Sequence, residues 1–148
     1  MTQIRRILFA TDFSKASARA LAVTGALAKV NRAEVTILHV FDPFVPTVPE
    51  QYLVAETLDQ VNLEARRWSQ RQLAKLTDKA RKSGIRAAGI ILDGDPARTI
   101  VRAARSRRAD LVVVGTHGRT GLNKFFLGSV AQRVVATASC PVVTVRGK

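Results

Sequence analysis

Cysteine is all but absent. Cys140 stands alone among 148 residues, which excludes an internal disulfide framework and fits a reducing compartment. Before the proline at 141 it reads as a small buried residue. Aromatic residues make up only 5% of the chain and do not interleave with its arginines, so a base-stacking surface for nucleic acid is not expected. No apolar run approaches the roughly 18 residues of a membrane span. The short apolar run at 7–10 follows Arg5 and Arg6 but soon meets Asp12, too early for a signal-peptide core. The expected location is the cytoplasm. Histidine is scarce as well: His39 and His117 have no Cys/His cluster around them, so a zinc site is not expected. No internal repeat, linker or low-complexity stretch breaks the chain, which reads as one domain over residues 1–148.

Acidic residues are also few. Against 24 Lys and Arg there are 11 Asp and Glu, a formal net charge of +13. Such a surplus attracts polyanions without sequence preference. Composition alone does not choose between a polyanion partner and a general basic bias.

What is present is a regular alternation of patterns. Strands are expected at 4–10, 34–40, 86–92, 111–114 and 142–145, from β-branched and apolar runs. Ser14 caps a helix whose apolar face is read as Ala16, Ala20, Val23, Leu27 and Val30. After a loop with prolines at 43, 46 and 49, a long helix over 51–83 shows the stripe Val54, Leu58, Val61, Ala65 and Trp68. The stripe drifts on through Leu73, Leu76 and Ala80. Asp95 and Pro96 open a third helix, and Ser129 a fourth. The order β-α-β-α-β-α-β-α-β implies an open, twisted, five-stranded parallel sheet with helices on both faces, a Rossmann-like α/β fold.

In such a sheet ligands bind beyond the carboxyl ends of the strands, where the strand order reverses. Two of those ends carry chemistry: Thr11-Asp12 after the first strand and Gly115 onward after the fourth. A Rossmann fingerprint would need glycines after the first strand, and a Walker A loop would need Gly-Lys-Ser/Thr. Neither occurs. What remains is Gly115-x2-Gly118-x9-Gly128-Ser129, a glycine-punctuated loop running from a buried strand into a helix N-terminus. Glycine admits close backbone approach, and free N–H groups with the helix dipole favour an anion. His117 has no identifiable nucleophile to serve as a base. Ser129 lies outside a Gly-x-Ser-x-Gly elbow. Phe125, Phe126 and Leu127 read as partly buried anchors of the loop, with a lid over the bound ligand as the alternative.

The chain resembles the universal stress protein family over essentially its whole length. The resemblance is carried by Ala10-Thr11-Asp12-Phe13-Ser14, His39-Val40, Gly94-Asp95-Pro96, the stretch from Val114 to Gly121, Gly128-Ser129-Val130-Ala131 and Cys140-Pro141-Val142. The Gly-x2-Gly-x9-Gly-Ser spacing is that of the family's ATP-binding branch. The resemblance implies strand order 3-2-1-4-5, with ATP bound at the loops after strands 1 and 4. It implies that Gly115, Gly118 and Gly128 wrap the phosphates, with Ser129 and Val130 at the helix start. Arg119 and Lys124 would be counter-charges, and Asp12 would lie near the ribose or a phosphate-borne Mg²⁺. Thr11 and the backbone of Val40 would line the adenine and ribose side. It further implies a regulatory or stress-adaptation role, at most weak ATP hydrolysis or autophosphorylation, and a homodimer through the C-terminal strand. The competing readings are a basic module that binds nucleic acid or another polyanion, and an ATP-consuming enzyme, for which no acceptor site is visible.

Overall fold

The computed structural model describes residues 3–47, 54–116 and 127–147. Its elements run β1 (Arg6–Ala10), α1 (Lys15–Asn31), β2 (Glu34–Phe41), α2 (Ala55–Lys82), β3 (Arg86–Asp93), α3 (Pro96–Ser106), β4 (Leu111–Gly115), α4 (Ser129–Thr137) and β5 (Val142–Val145). All pairings are parallel, in the order β3-β2-β1-β4-β5. The reversal of strand order therefore falls between β1 and β4. β1 begins two residues later than its apolar pattern suggests, because pairing with β2 starts at Arg6 opposite Glu34.

Alternation along the strands sorts two cores. Ile7, Phe9, Val35, Ile37 and Val113 face α1 and α2; Leu8, Leu38, Val112 and Val114 face α3 and α4. β1 and β4 are apolar on both faces because helices cover both, as the central strands of a parallel sheet require.

Two helix faces differ from the sequence reading. In α1 the buried residues are Ala16, Ser17, Ala20, Thr24, Gly25 and Ala28; of the expected face, Val23 and Leu27 pack partly buried against the same core and only Val30, 84% exposed, departs. The small side chains face inward because the helix lies close on the sheet: a Cβ on Gly25 would already stand 3.0 Å from Ile85. In α2 the buried residues are Ser69, Leu73, Thr77 and Ala80. The stripe Val54, Val61 and Trp68 is exposed. A helix of 28 residues is about 42 Å long, against about 26 Å for an eight-residue strand. Only its second half reaches the sheet, and the first half overhangs. The expected start of this helix at 51 lies outside the described residues.

The helices end in different ways. α1 and α3 run into Arg32 (φ 53) and Arg108 (φ 50), both in the left-handed region. α2 runs into Gly84 at φ 87. Gly94 (φ 133) turns the chain from β3 into α3, and a Cβ there would come within 2.9 Å of Thr99 Oγ1, so this turn requires glycine.

Candidate functional site

The strand-order reversal opens a cleft of about 530 Å³, within the usual size range of small-molecule sites. Of the residues expected there, Thr11, Asp12, Val40, Gly115, Gly128, Ser129 and Val130 all line it. Gly118, Arg119 and Lys124, with His117, Phe125 and Phe126, lie outside the described residues.

One wall is the end of β1. The backbone N–H of Thr11 donates to Leu38 O at 2.9 Å, continuing the β1–β2 ladder. Its hydroxyl accepts from Phe13 N at 3.0 Å and from the Ser17 hydroxyl at 2.6 Å. Asp12 Oδ1 accepts from Ser14 N at 3.0 Å, and Ser14 in turn caps α1 by accepting from Ser17 N. These short-range bonds replace backbone pairing where the strand stops. They hold Phe13 at φ 64, a conformation that costs a non-glycine residue energy and needs support. Support comes from the His39 ring, 4.5 Å away, and from Trp68, edge-on at 5.4 Å. His39 is buried and its Nδ1 donates to Thr11 O at 2.9 Å. The histidine thus ties the ends of β1 and β2 together.

The opposite wall is the passage from β4 to α4. Thr116 N donates to Val145 O at 2.9 Å, and Gly128 N donates back to Thr116 O at 2.6 Å. The intervening loop therefore leaves and returns at one point. Gly128 caps α4 with extended backbone and no side-chain cap. Among the described residues, the N–H groups of Ser129, Val130 and Ala131 meet no acceptor. They give the cleft donors and the positive end of a helix dipole. A methyl group on Gly115 would meet Ala16 and Ser17 only at ordinary contact distances of 3.4–3.5 Å, so packing alone does not demand glycine there.

Pro96, Ile100 and Asp42 also line the cleft, and sequence reasoning did not place them there. Pro96 and Ile100 carry ordinary helix signals. Only the crossover of α3 over the sheet brings its first turn to the strand ends. Asp42 was legible in principle, since it directly follows β2.

α3 and α4 are locked together by one carboxylate. Asp95 accepts from Arg98 N at 2.9 Å as the N-cap of α3, and pairs with both guanidinium nitrogens of Arg133 at 2.9 and 3.0 Å. The Arg133 hydrogen bond, then the Arg98 amide, hold its carboxyl below the ordinary value. A lowered carboxyl stabilises the fold above its unfolded value of about 3.9 and loses that effect as pH falls through the lowered one. Asp95→Asn should therefore melt below the wild type at pH 7, with the gap closing below about pH 4; thermal melts across pH check this. An equal gap at pH 3 and pH 7 would refute it. Cys140, half-buried, has its thiol pushed up by burial and then by Asp110, which suits a packing role rather than a nucleophile.

Comparison with known proteins agrees with this architecture. The model of the Universal stress protein family matches residues 3–146. The universal stress protein MJ0531 of Methanocaldococcus jannaschii is 38% identical over 146 residues, covering 96% of this chain and 82% of that protein. The solved structure of MJ0577, from the same organism, superposes with a TM-score of 0.84 at 28% identity over 99% of both chains. A universal stress protein from Archaeoglobus fulgidus, solved in complex with dAMP, shares the fold at a TM-score of 0.68 and 21% identity, covering 97% of this chain and 99% of that one. Another, solved in complex with cAMP, shares it at 0.66 and 23%, covering 97% and 98%. With a family match across nearly its entire length and the same five-stranded sheet, the chain belongs to the universal stress protein family.

Proposed function

We propose that the cleft holds an adenine nucleotide, ATP carried with Mg²⁺, and that the protein uses it as a bound signal in stress adaptation in the cytoplasm rather than as fuel. The observation that carries this reading is the open N-terminus of α4 facing a cleft whose lining is mostly apolar. The amides of Ser129, Val130 and Ala131 face the phosphates. Thr11, the backbone of Val40 and the apolar side chains of Leu38 and Ile100 suit the ribose and base. Gly115 and Gly128 frame the phosphate loop, with Gly118 and Arg119 along it. The relatives solved with dAMP and cAMP support an adenine nucleotide as the ligand class.

Asp12 is the carboxylate that would stand nearest a metal. Among the described residues no group of three His, Cys, Asp or Glu side chains is placed to hold one, so the metal would be carried by the phosphates. Bound there, it would supply neutralisation of the phosphate charge. His39 and Asp12 already hold the strand end, through Thr11 O and Ser14 N. With both engaged in holding the strand end, the reading expects at most weak hydrolysis. Calorimetric titration with ATP in the presence of Mg²⁺ should show saturable one-site binding, and dAMP should compete. A flat titration up to millimolar ATP would overturn the reading.

The chain pairs as a homodimer through β5. That strand is an open sheet edge of four residues, Val142–Val145, and an uncovered apolar edge invites strand pairing. Light scattering that gives the monomer mass of 16.1 kDa at high concentration would refute this.

A further inference from the structure

The two ends of the sheet differ in charge. Where the strands end, Asp12, Asp42, Asp93 and Asp95, with Glu56, Asp59 and Glu64 on the overhanging half of α2, are nearly balanced by Lys15, Arg66, Arg67, Arg98, Arg133 and Arg146. At the other pole, where the strands begin and α1, α2 and α3 end, the described acidic residues are Glu34, Asp78 and Asp110. Each is engaged. Glu34 pairs with Arg86 at 3.1 Å and Asp78 with Lys82 at 2.9 Å. Asp110 accepts from the backbone amides of Arg5 and Arg6, both at 2.9 Å.

Cations crowd that pole instead. Arg5, Arg6, Arg32 and Arg86 line a recess of about 660 Å³. The foot of α2 adds Lys79, Arg81 and Lys82, that of α3 adds Arg105, Arg107 and Arg108, and that of α1 adds Lys29. Most of the formal surplus of +13 therefore sits at one end of the molecule.

Helix dipoles favour cations at helix C-termini, and this accounts for a residue or two per helix. It does not account for the strand-start residues Arg5, Arg6 and Arg86. Nor does it explain Arg32 and Arg108, which occupy left-handed backbone at φ 53 and φ 50, where glycine is the default and a side chain is a conformational burden. The chain keeps guanidinium groups at positions where local stability favours their absence.

We propose that this pole docks the sugar-phosphate backbone of nucleic acid without reading bases. Arginine dominates it, and the planar guanidinium fork matches phosphate oxygens in pairs. No described aromatic side chain lies there to stack on bases. Val30 and, in the last turn of α4, Val135 are the pole's exposed large apolar side chains among the described residues, too little to anchor in a lipid bilayer. Because the nucleotide cleft opens at the opposite end, the two surfaces can be occupied together.

The test is fluorescence anisotropy with labelled DNA and RNA duplexes of mixed sequence. Arg105→Gln/Arg107→Gln/Arg108→Gln is compared with Arg67→Gln/Arg71→Gln/Lys75→Gln, an equal charge change on exposed α2 positions. The pole variant should bind more than about tenfold more weakly, with a log–log salt slope shallower by about 2 to 3. The α2 variant should change by less than about threefold. Arg32→Gly/Arg108→Gly should melt above the wild type yet bind more weakly, which separates binding from folding. Binding of either duplex supports the proposal, and the ratio of the two identifies the preferred backbone. Equal losses in the two triple variants would show that only net charge matters. Wild-type binding to phosphatidylserine vesicles but to neither duplex would assign the pole to a membrane. Either result overturns the proposal.

Discussion

Replacing Ser129 by aspartate should lower ATP affinity about a hundredfold while leaving the fold at least as stable. Ser129 is the first residue of α4, beside an N-cap that supplies no side-chain bond. A carboxylate there meets the same amides and helix dipole that the phosphates would use. For the helix this is favourable by about 0.3–1 kcal/mol. For the nucleotide it is repulsive: two unit charges about 6 Å apart at an effective dielectric near 20 interact by roughly 3 kcal/mol, or about a hundredfold in affinity. Ser129→Ala removes only the hydroxyl and should cost a few-fold. The combination of lost binding and an undiminished melting temperature marks phosphate competition. A Ser129→Asp protein that binds ATP as the wild type does would remove α4 from the site.

The largest stability effect is expected at Gly89 in β3. Alanine in a strand ordinarily improves on glycine by stiffening the unfolded chain. Here a Cβ would lie 2.5 Å from Thr77 Oγ1 and 2.9 Å from Leu73 Cγ. Neither neighbour can easily move. Leu73 is a buried core residue, and the Thr77 hydroxyl donates to Leu73 O at 2.8 Å within α2. Accommodation requires α2 to lift from the sheet edge, so Gly89→Ala should lose about 2 kcal/mol, the middle of the overpacking range. In a chain of this size that lowers the melting temperature by roughly 4–8 °C. Adding Thr77→Ala should recover part of the loss, a coupling that a double-mutant cycle in urea would measure. A Gly89→Ala protein as stable as the wild type would show that α2 does not press on β3 there.

The site was legible wherever backbone geometry dictates the residue. Strand ends, caps and the spacing of Gly115, Gly128 and Ser129 are constraints of the chain itself, and the cleft is lined by those same residues. Side-chain contacts across elements were not legible. Val30, the last residue of the α1 stripe, looked buried because hydrophobicity sets the period of a helix face. Interaxial distance chooses which face turns inward, and α1 packs with alanine, serine, threonine and glycine. The stripe through Val54, Val61 and Trp68 kept a helical period because an overhang can be amphipathic without meeting its own sheet. Pro96 and Ile100 joined the site only through the crossover. The basic pole draws its arginines from segments scattered along the chain, which no local pattern connects.

Trp68 is the chain's single tryptophan, and its position makes the protein its own optical reporter. The indole touches Phe13 edge-on, Phe13 stacks on His39, and His39 holds the carbonyl of Thr11. Any ligand that shifts the end of β1 must disturb this relay, and indole emission follows such changes in its surroundings. Occupancy of the cleft can therefore be read as intrinsic fluorescence, without a label, from a residue that stands one aromatic ring away from the strand end.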